Sequence, residues 1–369
     1  MAARQIAVSG ANGFIGLNLT VRLTELGMKV LRLVRDSDRG AWFSAVAEAD
    51  AVIHLAGANR PADPAEFMAI NYGASELLVE AAAAAGRPVR IAYASSSRAT
   101  EPSDYGRSKL AAERRLEEFA RDSGSPVHIL RLPNVFGKWA RPSYNSAVAT
   151  FCHNVSRGLP ITINDPDAAL DLVYIDDVVD TLVAIAEGRP SEGLAVVEPV
   201  YRTTVGEVVQ LIRGFRNDRD ENLIDNVGTG LKRALYSTYV SALPLERFSY
   251  PIAAHADPRG SFSEVLKTRT AGQFSFFTAH PGVTRGGHYH HTKTEKFLIV
   301  QGRARFRFRH IVTDERHEIE VSGEQPEVVE TVPGWAHDVT NIGDTTLVSI
   351  LWAHEIFDRS RPDTVATEV

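Results

Sequence analysis

Four side chains in the last third of the chain have the types and spacing of a metal site. His288 and His290 are separated by one tyrosine, Glu295 follows them closely, and His337 lies much farther along. Because side chains alternate across a strand, a strand would turn His288 and His290 to the same face. With Glu295 on the next strand and His337 on a distant one, the four predict a three-histidine, one-carboxylate shell around a divalent transition metal. Zinc suits these ligands, with iron, manganese and nickel left open; His291 is expected outside the ligand set.

A second set of residues has the types needed for proton transfer. Tyr105 and Lys109 are four residues apart at the start of a stretch with helical composition, so they share one face of a helix. There the lysine ammonium can stabilise a phenolate and lower the pKa of Tyr105 toward working pH. The run Ser95-Ser96-Ser97 ends a predicted strand just before this helix, so one of its hydroxyls can hold a carbonyl or alkoxide oxygen.

Near the N-terminus, a glycine turn predicts a dinucleotide site. Gly10, Gly13 and Gly16 follow a short apolar strand, Phe14 and Ile15 lie between the last two glycines, and a stretch with helical spacing begins at Leu17. Glycines at this spacing allow a tight turn, a close approach of the backbone to a pyrophosphate, and a helix N-terminus aimed at the anion. An ordinary tight strand-to-helix turn is the alternative for an isolated match.

The end of the second predicted strand bears on which dinucleotide binds. An acidic residue there would bind a ribose 2′-hydroxyl, whereas an arginine can neutralise a 2′-phosphate. Arg35 stands at this position with Arg32 nearby, which favours NADP, and the adjacent Asp36 keeps NAD open.

The elements that must position these groups alternate between strand and helix over the first two thirds of the chain. This alternation predicts a Rossmann-type, doubly wound parallel sheet with helices on both faces. A charged stretch, 216–225, is expected to be a surface loop, with a flap over the substrate as the alternative. The predicted strands are 6–8, 29–35, 51–57 and 89–94, and the predicted helices are 17–26, 64–85, 105–120, 181–187, 203–215 and 231–239.

After residue 245 the pattern changes to short alternating segments separated by glycine-containing turns. This pattern predicts an all-β jelly-roll barrel. The chain is therefore divided into a dinucleotide-binding domain, 1–245, and a metal-binding domain, 246–369. The strands predicted in the second domain are 273–279, 296–300, 303–310, 317–321, 328–332 and 345–351.

Composition excludes several classes of protein. A chain of 369 residues with 44% hydrophobic and 23% charged residues is typical of globular proteins with two domains. The formal net charge of −6 argues against nucleic-acid binding, and no apolar run is long enough to span a membrane. Cys152 is the only cysteine, and the first strand leaves no room for a signal peptide, so a cytoplasmic location is expected.

The first domain resembles the extended short-chain dehydrogenase/reductase superfamily. The motifs that carry the resemblance are Gly10/Gly13/Gly16, His54-Leu55-Ala56-Gly57, the serine cluster, Tyr105/Lys109, 131–137 and 171–178. The resemblance implies that Tyr105 is the general acid/base, that Lys109 lowers its pKa, and that Ser96, with Ser97 as runner-up, anchors the carbonyl. It also implies that Leu55, Ala56, Tyr105 and Lys109 contact the cofactor and that Asn134 contacts substrate. The segment between the serines and Tyr105 is shorter than in the family pattern.

The second domain resembles the cupin superfamily. The resemblance rests on the glycine, histidine and glutamate spacing from Gly282 to Gly302 and from Gly334 to Asn341. A preceding stretch, 257–264, is similar to a motif of sugar-nucleotide 3- and 3,5-epimerases, and this similarity implies that Arg259 pairs with a diphosphate. A turn closed by a salt bridge is the alternative for Arg259.

Together the two domains resemble the bifunctional enzymes of capsular polysaccharide biosynthesis. The resemblance implies C3 epimerisation of a UDP-linked 4-keto-6-deoxy amino sugar, followed by reduction of its C4 ketone with NADPH. It also implies a homodimer. Two alternatives remain: a 4-keto-sugar reductase whose cupin domain only binds sugar or dimerises, and a non-enzymatic NADP-sensing module that binds sugar.

Overall fold

The computed structural model describes residues 3–61, 63–189, 193–360 and 362–369. The chain divides into two compact units, here called the first and second unit. The first unit comprises Met1–Arg213 and Gly230–Pro244, and the second comprises Gly214–Thr229 and Leu245–Val369. The boundary between Pro244 and Leu245 lies next to the predicted one at 245. Nothing in the sequence pattern indicates that the earlier segment 214–229 belongs to the second unit.

Up to Pro244 the chain alternates between strands and helices. The strands are Gln5–Ser9 (β1), Lys29–Leu33 (β2), Ala51–His54 (β3), Arg90–Ser96 (β4), Val127–Leu132 (β5), Asn134–Phe136 (β6), Ala169–Tyr174 (β7), Gly193–Ala195 (β8), Tyr201–Thr204 (β9) and Leu223–Ile224 (β10). The α-helices are Phe14–Glu25 (α1), Arg39–Glu48 (α2), Gly73–Ala84 (α3), Asp104–Ser123 (α4), Ala147–Arg157 (α5), Ile175–Ala186 (α6), Val205–Asp220 (α7) and Gly230–Ser241 (α8). A π-helical segment, Met68–Tyr72, precedes α3, and short 3₁₀ helices span Ser97–Thr100 and Leu245–Arg247.

The first unit is built on the predicted parallel sheet, with strand order β2-β1-β3-β4-β5-β8. Alternate strand residues such as Val52, Ile91 and Tyr93 pack against α2, α3 and α4 in one buried cluster. Their neighbours along the strands point the other way because side chains alternate, and on that side α1 packs with α6. The doubly wound fold is therefore confirmed. A separate three-stranded sheet has the order β6-β7-β9.

Helix α4 carries Tyr105 and Lys109, and its ends are fixed by local sequence. The Ser103 hydroxyl caps its start by accepting a hydrogen bond from the Gly106 N–H at 3.0 Å, and Gly124 ends it in the left-handed conformation at φ +67°. Its amphipathic face buries Leu116 among the residues under the sheet. The start of the helix is thus held at the carboxyl end of β4, where the serine cluster lies.

The second unit is all-β beyond residue 250. Its strands are His255–Asp257 (β11), Gly260–Thr268 (β12), Gly272–Ala279 (β13), Thr284–Tyr289 (β14), Glu295–Gln301 (β15), Arg303–His310 (β16), Arg316–Ser322 (β17), Val328–Glu330 (β18), Trp335–Asn341 (β19), Leu347–Ala353 (β20) and Val365–Ala366 (β21). One sheet has the order β10-β12-β13-β20-β15-β18, with β11 on β12, and the other has the order β17-β16-β19-β14-β21.

The two sheets of the second unit enclose an apolar core. Phe277 and Phe297 come from one sheet, and Phe306, Phe308 and Val339 from the other. On β16 the phenylalanines are buried while the intervening arginines are at least partly exposed, as the alternation predicts. The predicted all-β domain is confirmed. In the part of the chain that the structure describes, no helix is long and apolar enough to cross a membrane.

Two local predictions are wrong. The stretch 216–225 is not a loop, because its first residues complete α7 and Leu223–Ile224 forms β10, which pairs in parallel with β12. Its charges occupy a helix surface, where Asp220 pairs with Arg247 at 3.0 Å. His290 is not on a strand, because β14 ends at Tyr289.

Candidate functional sites

The glycine turn can pack closely against neighbouring backbone only because it lacks side chains. Gly10 has φ +68°, and a Cβ there would lie 2.9 Å from the backbone of Leu55 and Ala56. A Cβ on Gly16 would lie 2.2 Å from the Gly10 carbonyl oxygen. Helix α1 begins directly after Gly13 and has no acidic residue in its first turn, so its free N–H groups can face an anion.

Buried polar groups fix the backbone beside this turn. The Ser9 hydroxyl accepts hydrogen bonds from the N–H groups of Leu55 and Ala56, both at 3.1 Å, and donates to Nδ1 of His54 at 2.7 Å. The other ring nitrogen of His54 bonds to Ser75 at 3.0 Å. Burial lowers the pKa of His54 to about 3, with a further contribution from Lys109, so the ring is neutral at neutral pH. The predicted cofactor residues 55 and 56 thus border the glycine turn.

Ser96 and Tyr105 are brought together at the end of β4. Burial raises the pKa of the Tyr105 hydroxyl, and a hydrogen bond with Ser96 and the charge of Arg98 oppose that effect. Ser97 is exposed and begins the 3₁₀ helix, so Ser96 is the serine that faces the tyrosine. The net pKa of Tyr105 is thus raised, not lowered as predicted, because burial outweighs the groups that favour the phenolate.

Lys109 is buried one helical turn beyond Tyr105. Its ammonium donates to the carbonyl oxygen of Ala94 at 3.0 Å and lies 4.9 Å from the centre of the Tyr93 ring. Burial lowers its pKa to about 8, while the carboxylate of Glu113 opposes the shift. A Cβ on Gly57 would lie 3.4 Å from this ammonium, so the backbone that follows β3 also borders the lysine.

Sequence reasoning missed a buried carboxylate behind these groups. Glu113 is 2% exposed on α4, accepts a hydrogen bond from the Ser95 hydroxyl, and pairs with the Arg131 guanidinium. Glu113 is four residues after Lys109, so the sequence already indicated that the two side chains share a helix face and can interact. The pair fixes Ser95, and thereby the strand end that carries Ser96.

Two further predicted residues lie at exposed positions. Arg35 is in the turn after β2, next to Asp36, while the Arg32 guanidinium donates to the Asn12 side chain at 2.7 Å and so reaches the glycine turn. Asn134 opens β6 and donates to the Asp171 carbonyl oxygen at 3.3 Å.

The four predicted metal ligands converge in the second unit. His288 is the penultimate residue of β14, Glu295 opens β15, His337 lies on β19 opposite His288, and His290 follows β14. One ligand atom from each lies within 4.8 Å of the others. Two ligands bound at about 2.1 Å can be at most about 4.2 Å apart, so small side-chain rotations would complete a coordination shell.

Hydrogen bonding prepares the rings of this cluster for a cation. His290 donates from Nδ1 to the carbonyl oxygen of Asp363. Nδ1 of His337 is 3.4 Å from the carbonyl oxygen of Trp335. Because a carbonyl cannot donate, the bonded nitrogen of His290 carries a proton. Its other ring nitrogen, Nε2, is 3.2 Å from a Glu295 oxygen, an arrangement stabilised by a proton or cation held between the two atoms.

Charge and burial also fit a metal. Burial lowers the pKa of His288 to about 4, helped by the other two histidines, so the ring is neutral and can act as a ligand. Burial alone would raise the pKa of Glu295, but the neighbouring rings of His290 and His337 and the charge of Lys293 bring it well below its usual range. Nε2 of His337 is buried and has no hydrogen-bond partner within the described residues.

Lys293 was missed by sequence reasoning, although it lies within the histidine-rich run. It is 7% exposed, and its ammonium is 3.3 Å from the second oxygen of Glu295. His291 is exposed, packs on Tyr289 with ring centres 5.2 Å apart, and is outside the cluster.

In this structure Arg259 pairs with an acidic residue and closes a turn, which is the alternative that the sequence left open to diphosphate binding. Its guanidinium is 2.6 Å from the Asp257 carboxylate across the β11–β12 turn, and both side chains are exposed. This pair lowers the pKa of Asp257 to about 2. Arg285 lies close enough to both residues for their charges to affect its pKa, which burial mainly lowers.

The fold and these sites define a class of protein. The chain belongs to the NAD dependent epimerase/dehydratase family, whose profile matches residues 6–193. A second profile, the polysaccharide biosynthesis C-terminal domain, matches residues 255–365.

Particular relatives match the whole chain. A Pseudomonas aeruginosa protein named UDP-2-acetamido-2,6-beta-L-arabino-hexul-4-ose reductase is 52% identical over 367 residues, 99% of both chains. The crystal structure of capsular polysaccharide assembling protein CapF from Staphylococcus aureus matches with a TM-score of 0.93 and 40% identity, covering 99% of this chain and 100% of that one. A third structure matches only part of the chain: UDP-glucose 4-epimerase from Thermotoga maritima covers 64% of this chain and 98% of that one, at 21% identity and a TM-score of 0.55, a likeness that shows the fold alone.

Proposed function

We propose that this chain is a bifunctional nucleotide-sugar enzyme. Residues 1–245 would reduce the C4 ketone of a UDP-linked 2-acetamido-2,6-dideoxy-hexos-4-ulose with NADPH, and residues 246–369 would epimerise C3 of the same sugar. The observation that carries the proposal is the hydrogen bond between the hydroxyls of Ser96 and Tyr105 at the end of β4, with the buried ammonium of Lys109 one helical turn farther along α4. The 52% identity with a reductase of a UDP-linked hexul-4-ose supports the same substrate class.

In the reduction, Tyr105 would donate its proton to the C4 oxygen while Ser96 donates a hydrogen bond to that oxygen. Lys109 would stabilise the phenolate left on Tyr105, since an ammonium one helical turn away favours the charged form. NADPH would supply the hydride to C4. Its pyrophosphate would lie against the turn formed by Gly10, Gly13, Phe14, Ile15 and Gly16.

The rest of the cofactor would be held by backbone and arginine groups. The fixed backbone of Leu55 and Ala56 borders the glycine turn, where the dinucleotide would pass. Arg35 and the nearby Arg32 favour a 2′-phosphate, and hence NADP, because two guanidinium groups can neutralise it.

In the second domain, His288, His290, Glu295 and His337 would hold a divalent cation, for which zinc suits the donor set. A bound cation would act as a Lewis acid on the C4 oxygen and stabilise the negative charge that develops when the C3 proton leaves. Arg259 would pair with the substrate diphosphate, and Asn134 would contact the sugar nucleotide in the reductase domain.

The chemistry fixes the order of the two reactions. A C4 ketone acidifies the C3 proton, and reduction to an alcohol removes that acidity, so epimerisation must come first. The product would be UDP-N-acetyl-6-deoxy-L-talosamine, a precursor of UDP-N-acetyl-L-fucosamine. We further propose that the protein is a homodimer, to be checked by light scattering coupled to gel filtration.

The decisive test is to incubate the protein, NADPH and the UDP-linked 4-keto sugar in deuterated water and to analyse the product by NMR. NADPH oxidation together with enzyme-dependent deuterium at C3 is expected. NADPH oxidation without enzyme-dependent exchange at C3 would identify the protein as a 4-keto-sugar reductase without epimerase activity. If neither NADPH oxidation nor exchange occurred, the protein would be a non-enzymatic NADP-binding protein.

A variant separates a catalytic metal from a structural one. His290→Ala should abolish enzyme-dependent C3 exchange, because it removes a ligand, while NADPH oxidation with the already epimerised substrate is retained. Undiminished exchange in a metal-depleted variant would rule out the Lewis-acid role.

A further inference from the structure

The last residues of the chain, 362–369, lie against the strands that carry the metal ligands. Val365–Ala366 pairs antiparallel with β14, with Ala366 opposite His288. The Thr367 N–H continues this pairing by donating to the Gly287 carbonyl oxygen at 3.0 Å. The Arg309 guanidinium donates to the Glu368 carbonyl oxygen at 3.0 Å. This C-terminal segment therefore covers one edge of the ligand-bearing sheet.

Within this segment, the Asp363 carboxylate organises the loop between two of the ligands. It accepts hydrogen bonds from the N–H groups of His291 at 2.9 Å, Thr292 at 2.7 Å and Lys293 at 2.8 Å. The Thr292 hydroxyl adds a fourth at 2.9 Å. Desolvation works to raise the pKa of Asp363, but these donors bring it well below its usual range, so the group is ionised.

The same residue also contacts a ligand ring. The backbone carbonyl oxygen of Asp363 accepts the hydrogen bond from Nδ1 of His290. That bond fixes which nitrogen of His290 carries the proton and directs Nε2 toward Glu295. Groups that orient metal ligands in this way typically change metal affinity 10- to 100-fold when removed.

We propose that Asp363 is a positioning residue for the metal site. Its carboxylate holds the loop that joins His290 to Glu295, and its carbonyl holds the His290 ring in the tautomer that can bind a metal. The proposal rests on the metal site of the proposed function. It assigns the end of the chain a role in that site.

The test measures binding of Zn²⁺, and of Co²⁺ as a spectroscopic probe, to the full-length protein by competition with a chromophoric chelator. Asp363→Ala should weaken affinity about 10- to 100-fold, because the loop loses the carboxylate that anchors it and the backbone carbonyl of residue 363 is no longer held in place against the His290 ring. Glu368→Ala is the matched control: it removes a carboxylate from the same segment but leaves the backbone carbonyl that Arg309 contacts. Its affinity should stay within about twofold of the wild type.

A second variant and a second readout keep the test informative. Asp363→Asn preserves size and one acceptor oxygen, so it should fold even if Asp363→Ala does not, with a smaller loss of affinity. In metal-free protein, ¹⁵N NMR of labelled histidine should show His290 protonated at Nδ1 in the wild type. Asp363→Ala should show a mixture of tautomers, because the carbonyl of residue 363 moves once its carboxylate no longer anchors the segment.

The failure of each idea is separately visible. Wild-type affinity in Asp363→Asn and in any folded Asp363→Ala protein would overturn the positioning role while leaving the metal site intact. A wild-type protein that binds neither ion would overturn both this role and the metal site of the proposed function.

Discussion

The two candidate sites are supported in different ways. Ser96, Tyr105 and Lys109 come from one strand end and the helix that follows it, and their supporting residue Glu113 lies on that same helix. The proposed metal site draws its candidate ligands from three strands and a loop, and its supporting residue Asp363 lies some seventy residues after that loop. The residues of the first site are therefore close together in the sequence, whereas those of the second come together only when the sheets form.

The sites also differ in how they treat buried charge. Lys109 lies beside the Ala94 carbonyl oxygen and the Tyr93 ring, with Glu113 as the nearby carboxylate, and its burial lowers its pKa. In the metal cluster, Glu295 is surrounded by imidazoles and the Lys293 ammonium, so its pKa also falls, but in its case the charged form is favoured. The reductase site therefore carries a charge that costs stability, while the metal site carries one that its neighbours stabilise.

The largest effect should come from removing the proposed acid. Tyr105→Phe deletes the hydroxyl that would protonate the C4 oxygen, and general acid catalysis typically contributes 10²- to 10⁴-fold. We expect the rate of NADPH oxidation to fall by about that factor, measured at 340 nm with the epimerised keto sugar. Enzyme-dependent deuterium exchange at C3 should be unchanged in the same variant.

This separation tests whether the two sites are independent in chemistry. Lost C3 exchange in a folded Tyr105→Phe protein would mean that one site performs both reactions. Retained NADPH oxidation would remove Tyr105 from the proposed mechanism.

Replacing the buried lysine should stabilise the protein while destroying reductase activity. The pKa of Lys109 is lowered to about 8 from 10.5, so the folded state binds its proton less tightly than the unfolded state does. The resulting penalty is complete below pH 8 and disappears as the pH rises through 10.5. At 1.36 kcal/mol per pKa unit, Lys109→Met should gain roughly 3 kcal/mol at pH 7 and about half of that at pH 9.5.

Urea unfolding at the two pH values, followed by fluorescence, measures this gain. A matched Lys29→Met variant at an exposed position should change stability by less than about 0.5 kcal/mol at either pH. A gain for Lys109→Met that grows with pH would contradict the proposed sign.

A smaller loss of stability should follow from adding a methyl group to the glycine turn. Gly16→Ala places a Cβ 2.2 Å from the Gly10 carbonyl oxygen, so the turn must move, at a cost of about 1–3 kcal/mol. Gly73→Ala is the control, since Gly73 has helical φ −60° and no neighbour within 4 Å of the added atom. It should stabilise the protein by about 0.5–1 kcal/mol. Equal thermal shifts in the two variants would show that the turn is looser than its contacts indicate.

The sequence predicted local features of both sites better than features that depend on residues far apart in the chain. Period-two and helical patterns predicted the strands and helices around Ser96 and Tyr105, because local spacing determines which residues share a face. The four side chains that converge as candidate metal ligands were also predictable from their types and spacing. Asp363 was not, because its partners, His291 to Lys293, lie some seventy residues earlier and only strand pairing brings them together.

The same reason explains the errors. The stretch 216–225 has the charge content of a loop, yet it completes α7 and adds β10 to the edge of a sheet whose other strands come later in the chain. The pKa of Tyr105 was predicted from its spacing to Lys109, whereas the burial that decides it depends on packing.

The smallest effect distinguishes two roles for Arg259. Its ion pair with Asp257 is exposed, so Arg259→Ala should leave the thermal midpoint nearly unchanged. If the guanidinium instead exchanges Asp257 for the substrate diphosphate, the same variant should raise KM for C3 exchange about tenfold at constant kcat, since only uniform binding is lost. Lys267→Ala, which removes a similar short-range ion pair on the following strand, is the control and should not raise KM. An unchanged KM for Arg259→Ala would show that Arg259 only closes the β11–β12 turn. The substrate of the second domain would then have to bind without that arginine.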